Sequence, residues 1–380
     1  MLDCRAHFST SLGADPDRLH FAAHSHHPWP DVTRAAQLAA WDHAATELSG
    51  KWQEVLGPVW QAAQRHVAGH LGLPDPATLV FAPNTQEFVV RLLSCLPLDR
   101  RARVLTTDGE FHSFARQVGR LEEDGLLEVT RIPAEPGRDC LARLAAAARQ
   151  GFDLIWVSEV FFTSGQALVG LDTLAAAAGE AVLVVDGYHA FMARPVDLSA
   201  VADRAFYLGG GYKYAMAGEG ACFLHCPPGW LPRPRSTGWY AGGAERPIAY
   251  AADGYRFMGS TFDPSGLYRL NAVMGWLAGL GVDAAAIHAQ ALALQSRFIA
   301  GLAARKDGRG LDPARLVVPV EDPARGNFLA FDLDEAEAWQ ARLAAAKIVT
   351  DRRGRRLRFG FGLYHTAEEV DRLLDRLAAL

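Results

Sequence analysis

The chain has 380 residues, 50% of them hydrophobic and 21% charged, with a formal net charge of −5. Half-apolar composition excludes a mainly disordered chain, and the length allows two sizeable cores or one large domain with a smaller companion. The acidic balance argues against a dedicated nucleic-acid binder, whose affinity would come mainly from a basic surface. No run of about 18 uncharged apolar residues is present, so no membrane-spanning helix is expected. MLDCRAHFST lacks the basic flank and apolar core of a secretory signal. The cysteines, at 4, 95, 140, 222 and 226, form no CxxC pair, which argues against a disulfide scaffold or a zinc finger. The expectation is a cytoplasmic globular enzyme with neither nucleic acid nor membrane as partner.

The pattern predicts a helix from Val32 to about Leu48, capped by Asp31, and a second from Trp52 to Leu71. From Thr78, β-rich runs alternate with amphipathic ones. Strands are expected at 78–82, 103–107, 126–132, 153–158, 181–186, 204–209 and 221–225, and helices at 85–96, 111–123, 139–150 and 171–179. This alternation implies βαβ units and a mostly parallel sheet with helices on both faces. AVLVVD and DLIWVS are nearly continuous apolar runs, as expected of strands buried on both faces. Gly, Pro and Arg crowd 227–248, which reads as a long excursion. Two long helices follow, at about 265–280 and 283–305. A small α+β unit closes the chain, with strands at 327–333, 347–350 and 355–361 and helices at 335–345 and 366–379. The expected domains are a large α/β domain over 50–280 and a small domain from 1–49 plus 281–380.

Ligands of open α/β sheets bind at the carboxyl ends of the strands. Three features fall there. Asp186 closes AVLVVD, with His189 three residues on; Lys213 stands in LGGGYKY after RAFYLG; and Asn84-Thr85-Gln86 marks the change from TLVFA to a helix. A carboxylate, a lysine after glycines and a helix N-terminus suit pyridoxal phosphate (PLP). The lysine can form a Schiff base with the aldehyde, the carboxylate can pair with the pyridinium nitrogen, and free backbone N–H groups can hold the phosphate. Taken singly, an Asp at a strand end is most often a loop cap and a Lys after GGG a surface residue. The joint pattern, DxxH after one strand and GGGYK after the next, with Lys213 27 residues beyond Asp186, is far more specific.

VDGYHAF followed by YLGGGYKYAMAGEGACFL resembles the class V, fold-type-I PLP enzymes: kynureninases, cysteine desulfurases and serine–pyruvate-type aminotransferases. Kynureninase is the nearest likeness. HFAAHSHHPWP at 20–30 stands where that family has its FLGNSLG-type entry. DGEFHSF at 108–114 resembles the segment bearing the ring-stacking aromatic, and TGWYAG at 237–242 the Gly-Trp loop. VTDRRGRRLRFGFGLYHTAEEVD at 349–371 resembles the C-terminal substrate-binding strand. The chain departs from the family at Ala23-His24-Ser25, where GNS is usual, and at His112-Ser113-Phe114, where a PSD-type sequence is usual.

The resemblance implies the fold-type-I architecture, a large mostly parallel α/β domain with a small α+β domain. It implies Lys213 as the Schiff-base lysine, Asp186 as the pyridinium partner, His189 against the ring or its phenolate and Phe111 as the stacking aromatic. Tyr212 would reach the phosphate and relay a proton, and Thr85 and Gln86 would bind the phosphate. A homodimer with shared sites is implied, Ser260 and Thr261 reaching the partner's phosphate. Arg358 would take the substrate's α-carboxylate, its planar fork suiting bidentate capture. Ser25 and Trp239 also fall where the family contacts substrate. By residue type alone, Phe111 and Tyr212 also fit a core, Ser260-Thr261 a plain turn, and Arg352, Arg353, Arg355 and Arg356 a solvated basic turn. Along 355–361, Leu357, Phe359 and Phe361 share one face and Arg358 and Gly360 the other, the glycine leaving room for a ligand beside the arginine.

His20, His24, His26 and His27 could ligate metal by type, but no carboxylate pair or cysteine accompanies them, and no metal site is expected. No cysteine follows Cys226, which disfavours a desulfurase whose reactive cysteine precedes the arginine strand. The implied reaction is kynureninase-like hydrolysis of a Cβ–Cγ bond in an amino-acid substrate. A class V aminotransferase using a 2-oxo acid is the alternative, and a non-catalytic protein on the same fold a third.

Overall fold

The computed structural model describes residues 2–97, 99–304 and 311–380. Its strands, in chain order, are β1 (Leu19–His20), β2 (Leu79–Ala82), β3 (Ala102–Thr107), β4 (Leu127–Ile132), β5 (Leu154–Ser158), β6 (Val182–Asp186), β7 (Ala205–Gly210), β8 (Cys222–His225), β9 (Phe328–Asp332), β10 (Ile348–Val349), β11 (Asp351–Arg353) and β12 (Arg356–Gly360). Seven of them form one sheet in the order β2-β8-β7-β6-β5-β3-β4. Strands β3 to β7 run parallel, and β8 runs antiparallel to both β2 and β7. The helices Thr85–Leu93, His112–Glu123, Cys140–Ala148 and Leu171–Ala177 connect the parallel strands, as the alternation anticipates. The apolar runs at β5 and β6 are buried almost throughout, because helices cover both faces of the sheet. Helix His112–Glu123 shows the local logic: it buries Phe114 and Val118, and the Phe114 ring stacks on Trp156 of β5 at 4.3 Å.

A three-stranded sheet, β11-β12-β9, forms the smaller unit. The short β11 is an addition to the elements read from the sequence. It pairs antiparallel with β12, placing Asp351 opposite Arg358. Strand β1 pairs in parallel with β10 and ties the N-terminal segment to this unit. Leu357, Phe359 and Phe361 lie together in its core with Phe21, Phe298, Phe331 and Leu373. The N-terminal segment is divided, in contrast to the expected assignment of 1–49 to the small domain. Leu19 and Phe21 join the small core, Cys4 and Phe8 join the large one, and helix Val32–Glu47 packs on Ser265–Gly279.

Two helix details also differ from expectation. The Asp31 side chain makes no bond into its own helix; it accepts from the backbone N–H groups of Ser9 (2.9 Å) and Thr10 (3.1 Å) and so serves the short helix Ser9–Gly13. The second predicted helix breaks at Gly57 (φ −101°, ψ −109°) and resumes as Trp60–Leu71. Pro58 accounts for the break, since its ring pushes the preceding residue out of helical geometry. Among the described residues, no single helix is long and apolar enough to cross a membrane.

Candidate active site

Strands β6 and β7 are parallel neighbours, so their carboxyl ends emerge at one edge of the sheet. Asp186 is the last residue of β6, and Lys213 follows the glycine turn that ends β7. A Cβ on Gly210 would overlap the Tyr188 hydroxyl, so this close approach requires glycine. A cavity of about 840 Å³ opens there, with Lys213, Asp186, His189, Phe111, Tyr212, Thr85 and Gln86 all on its wall. That volume lies in the range of small-molecule sites.

The electrostatics follow from burial. Lys213 Nζ meets Nε2 of His189. Burial pulls the Lys213 amine down to about 7, against the attraction of Asp186 and with help from the Arg358 charge. The same burial, with Lys213 beside it, holds His189 well below the usual histidine range, so its imidazole is neutral. Asp186 accepts from the Tyr188 backbone N–H at 3.0 Å. Burial raises the Asp186 carboxyl, while that N–H and Lys213 oppose the rise. The Phe111 ring centroid is 5.5 Å from Lys213 Nζ, and its edge-to-face partner is Phe162. Asn84 Oδ1 caps helix Thr85–Leu93 by accepting from Glu87 N at 3.2 Å. The N–H groups of Thr85 and Gln86 sit in the first turn, where no intrahelical acceptor exists.

These residues fit PLP. Lys213 is a near-neutral amine, as an aldehyde needs. Asp186 is a carboxylate on the neighbouring strand, and Phe111 is an aromatic wall. Free N–H groups at a helix start suit a phosphate. His189 Nδ1, buried and without a partner among the described residues, is a polar atom that the protein leaves open.

The other expected residues are placed differently. Ser25 is partly exposed and lies beside His26, whose ring packs edge-on against Tyr212 at 5.4 Å. Trp239 is 63% exposed and stacks on Tyr240. Ser260 and Thr261 are exposed and stand off this chain's cavity wall. Arg358 is 2% exposed and lies just behind the wall: its NH1 donates to the carbonyl of Phe162, a wall residue, and its Nε and NH2 donate to Asp351. The room that Gly360 leaves is filled by the His24 ring, which a Cβ there would overlap. The expectation of ligand space at Gly360 is therefore corrected: the His24 ring occupies it. The histidines of the N-terminal loop diverge, His20 bonding the Tyr364 hydroxyl, His24 Asp351, and His27 its neighbour's carbonyl.

Sequence reasoning missed several wall and near-wall residues. Tyr188 and Ser158 line the cavity, and the Ser158 hydroxyl donates to the buried Glu110 at 2.6 Å. Glu110 immediately precedes Phe111, so its position beside that expected stacking aromatic was a usable signal. Asp351 was missed because the short β11 that sets it opposite Arg358 was not read from the sequence, and its other partner, His24, comes from the far end of the chain.

Residues 287–377 match the family model of the kynureninase C-terminal domain. The isopenicillin N epimerase of Streptomyces clavuligerus is 30% identical over 366 residues, covering 89% of this chain and 88% of that protein. The isopenicillin N epimerase of Amycolatopsis lactamdurans is 28% identical, covering 86% of each. Among solved structures, a variant of C-DES with glycine covalently linked to its PLP cofactor superposes with a TM-score of 0.84 at 19% identity, covering 98% of both chains. The cysteine desulfurase CsdA of Escherichia coli gives 0.80 at 18% identity, covering 99% of this chain and 96% of that one. These two structures speak for the fold. With the S. clavuligerus enzyme alike over nearly the whole chain and PLP-fitting residues gathered at one strand edge, the chain belongs to the class V, fold-type-I family of PLP-dependent enzymes.

Proposed function

We propose that this enzyme removes the α-proton of an amino acid and goes on to hydrolyse its Cβ–Cγ bond, as a kynureninase does. The observation that carries the first part is the buried Lys213 amine, lowered to about 7 and pressed against a neutral His189. When bound, PLP supplies an electron sink for the pair left behind at Cα. Lys213, with its amine lowered to about 7 and so partly neutral at that pH, would take the departing proton and can return it. Asp186 supplies negative charge for the ring nitrogen. Thr85 and Gln86 hold the phosphate, and Phe111 shields one ring face from water. Tyr212, partly exposed on the wall, is placed for a proton relay. Water then adds at the γ-carbonyl of a γ-keto substrate, and the Cβ–Cγ bond breaks to a carboxylic acid and alanine. The kynureninase match over 287–377, which includes Arg358, supports this choice of bond.

Epimerisation at Cα is the second reading, supported by the S. clavuligerus relative. It needs only removal and return of the proton, the return on the opposite face. Aminotransfer would need a 2-oxo acid acceptor as well. The test is product analysis with the PLP-loaded protein in D₂O, using L-kynurenine and a panel of L- and D-amino acids, with and without 2-oxo acid. Alanine formed without oxo acid supports hydrolysis. Inverted, deuterated substrate moves the assignment to epimerisation, and strict dependence on oxo acid moves it to aminotransfer.

A homodimer with shared sites is part of the proposal. Ser260 and Thr261 are free to reach a second copy, and Trp41, Leu48 and Trp239 expose 67%, 71% and 63% of their surface. The free cysteines at the described positions agree with a reducing, cytoplasmic setting.

A further inference from the structure

We infer that Asp351 is the positioning residue that sets Arg358 for the substrate's carboxylate, with His24 as its brace. This rests on Arg358 being the carboxylate residue.

Asp351 opens β11 directly opposite Arg358 on β12. Its Oδ1 accepts from Arg358 Nε at 2.8 Å, and its Oδ2 accepts from NH2. The Nε–NH2 edge of the guanidinium is thereby committed. NH1 donates to the Phe162 carbonyl. Three of the five N–H groups are thus held, and two remain for a ligand. At 2% exposure the side chain cannot swing into solvent, and Phe162 belongs to the cavity wall. The fork is therefore presented in one orientation, which is what geometric selection of a carboxylate requires.

Asp351 is itself braced. His24 Nε2 donates to Oδ1 at 2.9 Å. The His24 ring is buried, stacks on Phe328 at 4.4 Å, and fills the space left by Gly360. The Phe328 ring also lies 5.5 Å from the Arg358 guanidinium. Burial holds His24 at about 4, so it is neutral, with one N–H for Asp351. His24 and Arg358 together hold the Asp351 carboxyl far below its ordinary value, although burial opposes them. A fully ionised carboxylate under three N–H donors is a fixed anchor, not a group that titrates away in the working range.

The experiment compares an amino acid with its carboxamide. PLP-loaded wild type, Asp351→Asn and Arg358→Ala are titrated spectrally with a panel of L-amino acids headed by L-alanine, each paired with its amide. Asparagine turns an N–H toward the arginine, so the clamp opens while the volume is kept. Asp351→Asn should weaken amino-acid binding roughly 10- to 100-fold and leave the amide within about threefold, as expected for losing one charge-assisted contact. In turnover, KM should rise and kcat change little. The acid-to-amide ratio does not depend on the fraction folded, so partial destabilisation would not imitate the effect. An unchanged ratio in Asp351→Asn with a collapsed ratio in Arg358→Ala overturns this inference alone. An unchanged ratio in Arg358→Ala, or no spectral response to any amino acid, removes the reading on which it rests. Tighter acid binding in Asp351→Asn would also overturn it, by making Asp351 a competitor for the fork.

Discussion

Lys213 Nζ lies against Nε2 of His189, although the two residues follow different strands and stand 24 positions apart in the chain. Both are buried, and burial disfavours the charged form of each. The amine is therefore about half neutral at pH 7 and largely neutral above it, beside a neutral imidazole, a state suited to attack on an aldehyde and to proton transfer.

Lys213→Ala should lose the covalent link to PLP and cut turnover by about a thousandfold or more. Borohydride reduction followed by peptide mass spectrometry reads the link. A reduced cofactor found on another lysine would relocate the site.

The pH dependence of cofactor capture follows from the lowered amine. A free lysine titrates near ~10.4, but Lys213 is pulled to about 7. Below 7 it is a non-nucleophilic ammonium; above 7 it is free. The rate at which apoprotein takes up PLP should rise about tenfold per pH unit below 7 and level off above pH ~8. A rate still climbing at pH 9–10 would mean an ordinary exposed amine.

Arg358→Ala should weaken amino-acid binding roughly 10- to 150-fold, given about 1.5–3 kcal/mol for a charged hydrogen bond and ~1.4 kcal/mol per decade. Arg358→Lys should rescue little, since a point charge cannot reproduce the fork. Cofactor absorbance should persist in both. Unchanged binding would pass the role to another arginine, such as Arg353, which pairs with Asp351 at 3.6 Å.

Two buried glutamates give stability a pH dependence. Burial raises Glu110, held by Thr107 and Ser158, and Glu159, held by Tyr207, to about 7 each. In the unfolded chain both titrate near ~4.3. Between about pH 4 and 7 the folded state binds more protons, so their contribution is full below pH ~4 and is lost as pH rises through 7. Glu110→Gln should remove its part of that slope, raising stability at pH 8 relative to pH 5 by on the order of 1–3 kcal/mol. Urea midpoints at the two pH values measure it; parallel slopes for variant and wild type would show that Glu110 stays ionised.

Shared sites would show as complementation. Mixing Lys213→Ala chains with chains carrying Ser260→Asp and Thr261→Asp, each inactive alone, should restore part of the activity through hybrid dimers. A fully active monomer by light scattering would end the dimer proposal.

Much of this enzyme was written in short-range pattern. Continuous apolar runs marked β5 and β6 because a strand covered on both faces has no polar side to show. The alternation of runs with helices marked the parallel sheet, and a parallel sheet gathers its strand ends at one edge. Asp186, His189 and Lys213 could therefore be placed together from the sequence, and they line one cavity.

What the sequence could not determine is which distant group fills a given space. The period-two alternation of β12 assigned Arg358 and Gly360 to one face and left that face's neighbour unspecified. His24, from the other end of the chain, took the room beside Gly360, and Asp351 took an edge of the arginine fork. Asp31 likewise sat where a helix cap belongs, yet its oxygens went to Ser9 and Thr10. Local pattern expresses backbone geometry and burial, which act within a few residues. Partner choice depends on how segments approach in space, whether 7 residues apart as Asp351 and Arg358 or 327 apart as His24 and Asp351, and only the packed tertiary structure decides it.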